Sequence, residues 1–297
     1  MMSGGRSASG ALLALFAATC FGVSGAVAGG VFDTISPAHV AQSRSLIAAV
    51  LLLAYAAAQN ALRPTGPWWK LALLGLNLAL VNVTFYWALD LLGVGPGATV
   101  QFLAPIFVLV WIAVVQREHV GRLAWVAAVA AVFGVGLVTG AWTGSISNMA
   151  GFAAGLASAV LFAAYLVFGE HLSGEFRPST VAAWGFVFAS AFWAVVLPWW
   201  DYPFAEASDV WLELLVIGVI GTAVPFVVEF AALAMASSGV VGIVATAEPP
   251  IAAMAAVVLL GQQLEPVQWA GIAIVALAVA AVQRWGLGAE HETTPVI

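Results

Sequence analysis

Ten apolar runs, each close to the length that crosses a hydrocarbon core, occupy most of the chain. About twenty consecutive apolar residues make a helix long enough to span a bilayer. Of the 297 residues, 63% are hydrophobic and only 7% are charged, whereas about a quarter are charged in ordinary soluble domains. The pattern therefore predicts an all-α membrane protein with ten transmembrane helices. The runs are residues 10–29, 37–58, 69–91, 95–115, 123–141, 149–168, 180–199, 210–235, 239–261 and 267–284.

The second half of the chain repeats the first at an offset of 144 residues. We therefore divide it into residues 1–145 and 146–297, with five predicted spans in each half. Because five is odd, the halves enter the membrane in opposite senses, which predicts an inverted repeat. Secondary transporters with such repeats bind substrate near the midplane, where broken helices supply the binding groups. The matched pairs include Gly95 with Gly239, Pro105 with Pro249, and Trp125 with Trp269.

The first run has an alternative interpretation as a cleaved signal peptide. Arg6 precedes it, and Ala26 and Ala28 resemble the small residues of a cleavage site. However, its apolar part is longer than a typical signal core, and several of its residues match the sixth run. We therefore expect a membrane span.

The basic residues predict the orientation of the chain. With the N-terminus inside, seven of the eight Lys and Arg residues fall on the cytoplasmic side, as the positive-inside rule requires. We therefore expect a multi-pass protein of the plasma (cytoplasmic) membrane with both termini in the cytoplasm. The seven are Arg6, Arg63, Lys70, Arg117, Arg122, Arg177 and Arg284.

Two acids lie deep inside predicted spans, where a charged side chain costs about 3 kcal/mol. Glu248 is near the middle of the ninth run, and Glu229 is in the eighth. Thr222 and Pro225 precede Glu229 at spacings that put all three on one helical face. Acids at this depth are candidates for binding substrate or exchanging a proton. Alternatively, each could be a protonated group that is hydrogen-bonded between helices.

Arg44, in the second run, is the base that lies away from the cytoplasmic side. It could bind a substrate carboxylate or hold an outer gate. Alternatively, it could pair with Asp90 at the end of the third run.

Three prolines predict breaks inside the membrane. Proline removes a backbone donor and frees the carbonyl one turn back, which in lipid must be satisfied by protein, water or ligand. A kink without a ligand is the alternative. The pairs of proline and freed carbonyl are Pro105 with Gln101, Pro225 with Gly221, and Pro249 with Ala245.

Further polar and aromatic side chains inside the runs are candidates to line a substrate cavity. Tyr86 and Asn82 lie in the third run, Gln101 in the fourth and Tyr165 in the sixth. Each could instead pack between helices.

The sequence offers no signature of enzyme chemistry. The histidines are scattered, Cys20 is alone, and no metal-ligand spacing or phosphate-binding loop occurs. Nothing indicates a cofactor, a metal or a nucleic-acid partner, so an ion gradient or the substrate's own gradient must supply the energy. The histidines are His39, His119, His171 and His291.

Each half ends with Pro, a polar cluster, Trp and a small-residue helix. The segments are APIFVLVWIAVVQREHVGRLAW (104–125) and EPPIAAMAAVVLLGQQLEPVQW (248–269). In this the chain resembles the EamA family of the drug/metabolite transporter superfamily. The motifs TAVPFVVEFAAL (222–233) and TAEPP (246–250) are most similar to threonine and homoserine exporters. The family's Gly-Glu pair departs from the pattern, since Glu118 follows Arg117 and Gln262 follows Gly261.

The resemblance implies export of a small metabolite, plausibly an amino acid, by alternating access. We expect a proton-coupled or facilitative exporter in which Glu248 binds a substrate ammonium or carries the proton. Glu229 would assist, and Arg44 would meet a carboxylate. The expected partners are a small-molecule substrate, protons and the lipid bilayer. Efflux of cationic drugs or amines, import of a neutral sugar or nucleoside, and a non-transporting scaffold are the alternatives.

Overall fold

The computed structural model describes residues 3–117, 119–141, 148–173, 175–233, 235, 238–282 and 284, and within these ranges the chain forms helices and no strand. Glu118 and His291 lie outside the described residues. The first half contains α1 (Ser3–Gly29), α2 (Pro37–Ala58), α3 (Trp68–Leu92), α4 (Val94–Gln101), α5 (Ala104–Trp111), a π-helical segment (Ile112–Gln116) and α6 (Arg122–Thr139). The second half contains α7 (Met149–Ser173), α8 (Pro178–Val196), a 3₁₀ turn (Trp199–Asp201), α9 (Phe204–Asp209), α10 (Trp211–Gly218), a π-helical segment (Val219–Ala223), α11 (Val224–Leu233), α12 (Ser238–Ala245), α13 (Glu248–Leu260) and α14 (Pro266–Val282).

Nine helical stretches among the described residues are long and apolar enough to cross a membrane. Three of these stretches join two helices: α4 with α5 and the π-helical segment that follows it, α10 with α11 through the second π-helical segment, and the end of α12 with α13. The tenth predicted run forms α14, a shorter apolar helix of 17 residues. The all-helical membrane class is thus confirmed, while the count of ten spans stays a prediction.

Local chemistry explains several helix ends. The Ser36 side chain accepts a hydrogen bond from His39 N, and Pro37 occupies the first turn of α2, where its missing N–H costs nothing. Gly93 ends α3 with a φ of 89°, and Gly261 ends α13 with a φ of 64°. Glycine adopts such positive φ values without a steric penalty.

The helices of the two halves are interleaved. α3 packs against α7 and α8, and α2 packs against α8, so two helices from each half build one bundle. α1 packs against α11, α12 and α13, while α6 pairs with α14. Ala26 and Ala28, the residues that resemble a cleavage site, are buried in the core. α1 is therefore an integral part of the folded bundle, which favours the span over the signal peptide.

Contacts across the chain define two ends of the bundle. At the first, which we call the Gly93 end, Val94 N donates to Gln262 Oε1 at 3.2 Å. The opposite end, where Gly66 lies against the Phe176 ring, we call the Gly66 end. There the Arg177 guanidinium donates to the Gln59 carbonyl oxygen at 3.1 Å. The Lys70 ammonium also contacts the Glu175 carboxylate there.

The element boundaries repeat at the offset found in the sequence. In each half a short helix is followed by a two-residue turn, a second helix and then the last helix of that half. The corresponding helices begin 144 residues apart: Val94 and Ser238, Ala104 and Glu248, Arg122 and Pro266. The fourth predicted span of each half is thus broken at the same place.

Candidate functional site

The three prolines each lie directly after an interruption of a membrane-spanning helix. Pro105 is the second residue of α5, after the turn that ends α4, and Pro249 has the same place in α13. Pro225 is the second residue of α11, immediately after the π-helical segment. In each of these three spans the ladder of backbone hydrogen bonds is interrupted, so the backbone can present carbonyl groups to side chains there.

Arg44 is buried at 8% exposure and lies at the junction of α2, α3 and the second π-helical segment. Its Nε donates to Thr222 Oγ1 at 2.6 Å, and its Nη1 donates to the Tyr86 hydroxyl at 2.9 Å. Its Nη2 donates to the Gly221 carbonyl oxygen at 3.2 Å. The guanidinium carbon also lies 5.5 Å from the centre of the Tyr86 ring, within cation–π range. All these partners are neutral, so the positive charge is solvated but not neutralised by them.

The alternative pairing of Arg44 with Asp90 is not found. Asp90 is exposed, and no ion pair joins it to Arg44 among the described residues. The physical reason is that Tyr86 and the π-helical segment offer Arg44 buried acceptors, whereas an exposed carboxylate at the helix end is already solvated.

The Gly221 carbonyl that Arg44 contacts is the one that Pro225 was expected to free. Pro225 has no amide hydrogen, so this carbonyl lacks its α-helical donor. A guanidinium N–H takes that place. The sequence thus identified the acceptor, but not the side chain that satisfies it.

Glu248 begins α13 and Glu229 lies in α11, and both residues are partly exposed. The two acids are close enough for their charges to act on each other, and Arg44 is within electrostatic range of Glu248. Neither acid forms an ion pair with a base among the described residues. One cation and two acids, from three different membrane-spanning stretches, therefore face a common region.

These charges lie at successive depths from the Gly93 end. At a rise of 1.5 Å per residue, Arg44 is about 10 Å along α2 from Pro37, and Glu248 is about 18 Å along α13 from Leu260. Glu229 is about 27 Å from Trp211 along its span. The order along the bundle is therefore Arg44, Glu248 and Glu229.

The remaining candidate residues divide into two groups. Tyr86 is fully buried against Arg44, and Tyr165 lies within electrostatic range of Glu229. Asn82 donates within its own helix to the Leu78 carbonyl oxygen at 2.7 Å. Gln101 instead contacts Ser158 of α7.

Gln101 joins α4 to α7, because its Nε2 donates to Ser158 Oγ at 2.8 Å. Ser158 in turn donates to the Val81 carbonyl oxygen at 3.2 Å. This chain links three helices and satisfies all three groups, which is the packing role that was the alternative for Gln101.

One neighbour of the site was missed at the sequence level. Ser24 of α1 lies so close to Gly221 that a Cβ atom there would collide with its hydroxyl. The sequence could have indicated Ser24, because it is a small polar residue inside the first apolar run. The Phe32 ring, 5.6 Å from the Tyr86 ring, carries no such signal.

Two surface cavities lie elsewhere. One of about 290 Å³ is lined by apolar residues of α5, α6 and α7. The other, of about 470 Å³, lies beside the 3₁₀ turn and includes Tyr202 and Trp211. Neither is lined by Arg44 or the two acids. Within the described part of the chain, no group of three or more His, Cys, Asp or Glu side chains could hold a metal ion.

The chain is similar to known transporters along most of its length. The model of the EamA-like transporter family matches twice, over residues 8–140 and 149–283. The Threonine/homoserine exporter RhtA of Escherichia coli K12 is 25% identical over 198 residues, and the RhtA of E. coli O157:H7 matches equally. This match covers 65% of this chain and 64% of the relative, so the chain spans less than two thirds of that relative's length.

A solved crystal structure shares the fold. It superposes with a TM-score of 0.66 over 95% of this chain and 99% of its own, at 18% identity. The two family matches cover nearly all of both halves, and each contains one of the two repeated helix breaks. The chain therefore belongs to the EamA-like transporter family and carries two copies of its domain.

Proposed function

We propose that this transporter exports small zwitterionic metabolites of the amino-acid class by alternating access between two inverted repeats. Arg44 binds the substrate carboxylate, and Glu248, assisted by Glu229, binds the ammonium group or carries an exchanged proton. The observation that carries this proposal is the series Arg44, Glu248 and Glu229 along one apolar bundle, in which Glu248 lies within electrostatic range of both other charges.

The contact at the Gly93 end supports the inverted arrangement. Val94, at the start of the broken span of the first half, contacts Gln262, which follows the end of the broken span of the second half. Two such spans run in opposite directions when the start of one meets the end of the other. The Gly66 end carries Arg63, Lys70 and Arg177, which favours placing it in the cytoplasm.

The charges favour a zwitterion. A guanidinium presents a planar fork of donors that matches a carboxylate, and its partners here are neutral. An uncompensated charge at this depth is costly unless it serves a ligand or an ion. An α-amino acid carries both complementary charges a few ångströms apart. RhtA, the exporter of threonine and homoserine to which the chain is similar, acts on molecules of this class.

A second candidate function, efflux of cationic amines, is favoured by a different feature. Two acids lie within electrostatic range of each other, and together they could accept one cationic group. A neutral sugar or nucleoside would use neither acid, so it has less support.

Glu248→Gln in proteoliposomes tests the proposal. The substitution keeps the shape of the side chain and removes its charge, so we expect transport and its pH dependence to be lost. Glu265→Gln, at an exposed loop position, is the matched control and should transport like the wild type. Unchanged transport and unchanged pH dependence in Glu248→Gln would remove this residue from the mechanism. Competition by amino acids against quaternary amines separates the two candidate substrates.

A further inference from the structure

The orientation of the Arg44 guanidinium depends on one short segment of the second half. Its Nε and Nη2 contact two consecutive residues, Thr222 and Gly221. Its Nη1 contacts Tyr86. A guanidinium has five N–H donors, so one N–H on each terminal nitrogen has no acceptor among the residues that the structure describes. Two such donors on one rigid plane are what a carboxylate accepts.

The π-helical segment offers these acceptors because its own hydrogen bonds are displaced. The Thr222 hydroxyl donates its single hydrogen to the Ile217 carbonyl oxygen at 2.8 Å, five residues back. It can therefore only accept from Arg44. The Gly221 carbonyl is available because Pro225 supplies no N–H. Both acceptors thus follow from the local break in the helix.

α1 also packs against the segment. Gly221 and Thr222 are buried, and the close approach of Ser24 leaves no room for a side chain at Gly221. α1 therefore restricts the position of the segment that contacts Arg44.

We propose that Thr222 and Pro225 are positioning residues, which orient Arg44 for the carboxylate of the substrate without touching the substrate themselves. This inference rests on the proposed function, since it assumes that Arg44 binds a carboxylate. On this proposal, the helix break in the eighth predicted span not only interrupts the backbone but also contributes to specificity for anionic groups.

The test compares binding of threonine and of threoninamide, in which a neutral amide replaces the carboxylate, to the purified full chain in nanodiscs. Thr222→Val keeps the shape but removes the hydroxyl. We expect it to raise the Kd for threonine about tenfold, the size of one lost hydrogen bond to a charged group. Binding of threoninamide should change less than about twofold, and Thr222→Ser, which restores a hydroxyl, should restore threonine binding.

A double-substitution experiment separates positioning from a general loss of structure. In an Arg44→Gln background, Thr222→Val should cause no further loss of threonine binding, because the group that it positions is absent. Equal losses for both ligands, or an additional loss in the Arg44→Gln background, would overturn the inference.

Pro225→Ala provides a second route if Thr222→Val fails to fold. It supplies a backbone N–H that competes with Arg44 for the Gly221 carbonyl, so threonine binding should again fall selectively. A different result would show that the proposed function itself is wrong. In that case Arg44→Gln would leave the affinities for threonine and threoninamide unchanged. If Arg44→Gln discriminates between the ligands but neither positioning variant does, only the inference is wrong.

Discussion

Replacing Gly22 with alanine tests whether the contact between α1 and α13 sets the position of Glu248. A Cβ atom at Gly22 would lie 3.0 Å from the Glu248 carbonyl oxygen and from Ala252 N. It would also lie 3.0 Å from Ile251 Cγ2, closer than the roughly 3.5 to 4.0 Å at which two carbon atoms usually pack. α13 must therefore shift by a few tenths of an ångström. Such overpacking costs about 1–3 kcal/mol, while alanine gains about 0.5–1 kcal/mol over glycine inside a helix. We expect a net destabilisation of about 0–2.5 kcal/mol.

Gly169→Ala is the matched control. Gly169 is also inside a helix, but a Cβ atom there would meet nothing within 4 Å. The helix gain is common to both variants, so the difference in their free energies of unfolding isolates the contact energy of about 1–3 kcal/mol. Reversible unfolding in mixed micelles measures this difference, and transport in proteoliposomes should fall only in Gly22→Ala. Indistinguishable unfolding free energies and equal transport in the two variants would refute the reasoning.

Three other experiments give simple expectations. Arg44→Lys should weaken binding of a carboxylate substrate about tenfold, because one ammonium cannot reach three separate acceptors and a ligand together, as isothermal titration with threonine would show. Gln101→Leu should lower the unfolding free energy by about 1 kcal/mol through loss of its bond to Ser158, with transport unchanged in vesicles. A double-mutant cycle of Lys70→Gln and Glu175→Gln should give a coupling below about 1 kcal/mol that disappears at high salt, because the pair is partly exposed.

The fold class and the helix breaks could be predicted from the sequence because both are local properties. Membrane spans follow from runs of apolar residues, and a proline acts on the carbonyl one turn back. The offset of 144 residues predicted that Ala104 and Glu248 hold equivalent places. Each begins the helix that follows the break in its half. Features in which a residue acts on its own segment could therefore be predicted from the sequence alone.

The partners of Arg44 could not be predicted in the same way. Thr222 is separated from Arg44 by 178 residues, and its spacing from Glu229 placed it on one face with that acid but did not link its hydroxyl to Arg44. The alternative partner, Asp90, was suggested by its charge and by its place at the end of the third run. In a bundle whose halves interleave, however, the acceptor is decided by which helices pack together. Gln101 shows the same limit, since its partner Ser158 lies in the other half.

The asymmetry between the two equivalent breaks bears directly on function. Duplication of a domain copies the break into both halves, but the acid occurs only at Glu248, where the first half has Ala104. Ala104 is fully buried, so a carboxyl group in its place would lack water as well as a counter-charge, whereas Glu248 is partly exposed and within electrostatic range of Arg44. A further intramembrane acid at this position would cost about 3 kcal/mol without a ligand group to compensate for it. Both halves are therefore broken at the same place, but only the second half carries an acid there, which is sufficient for the proposed substrate with its one ammonium group.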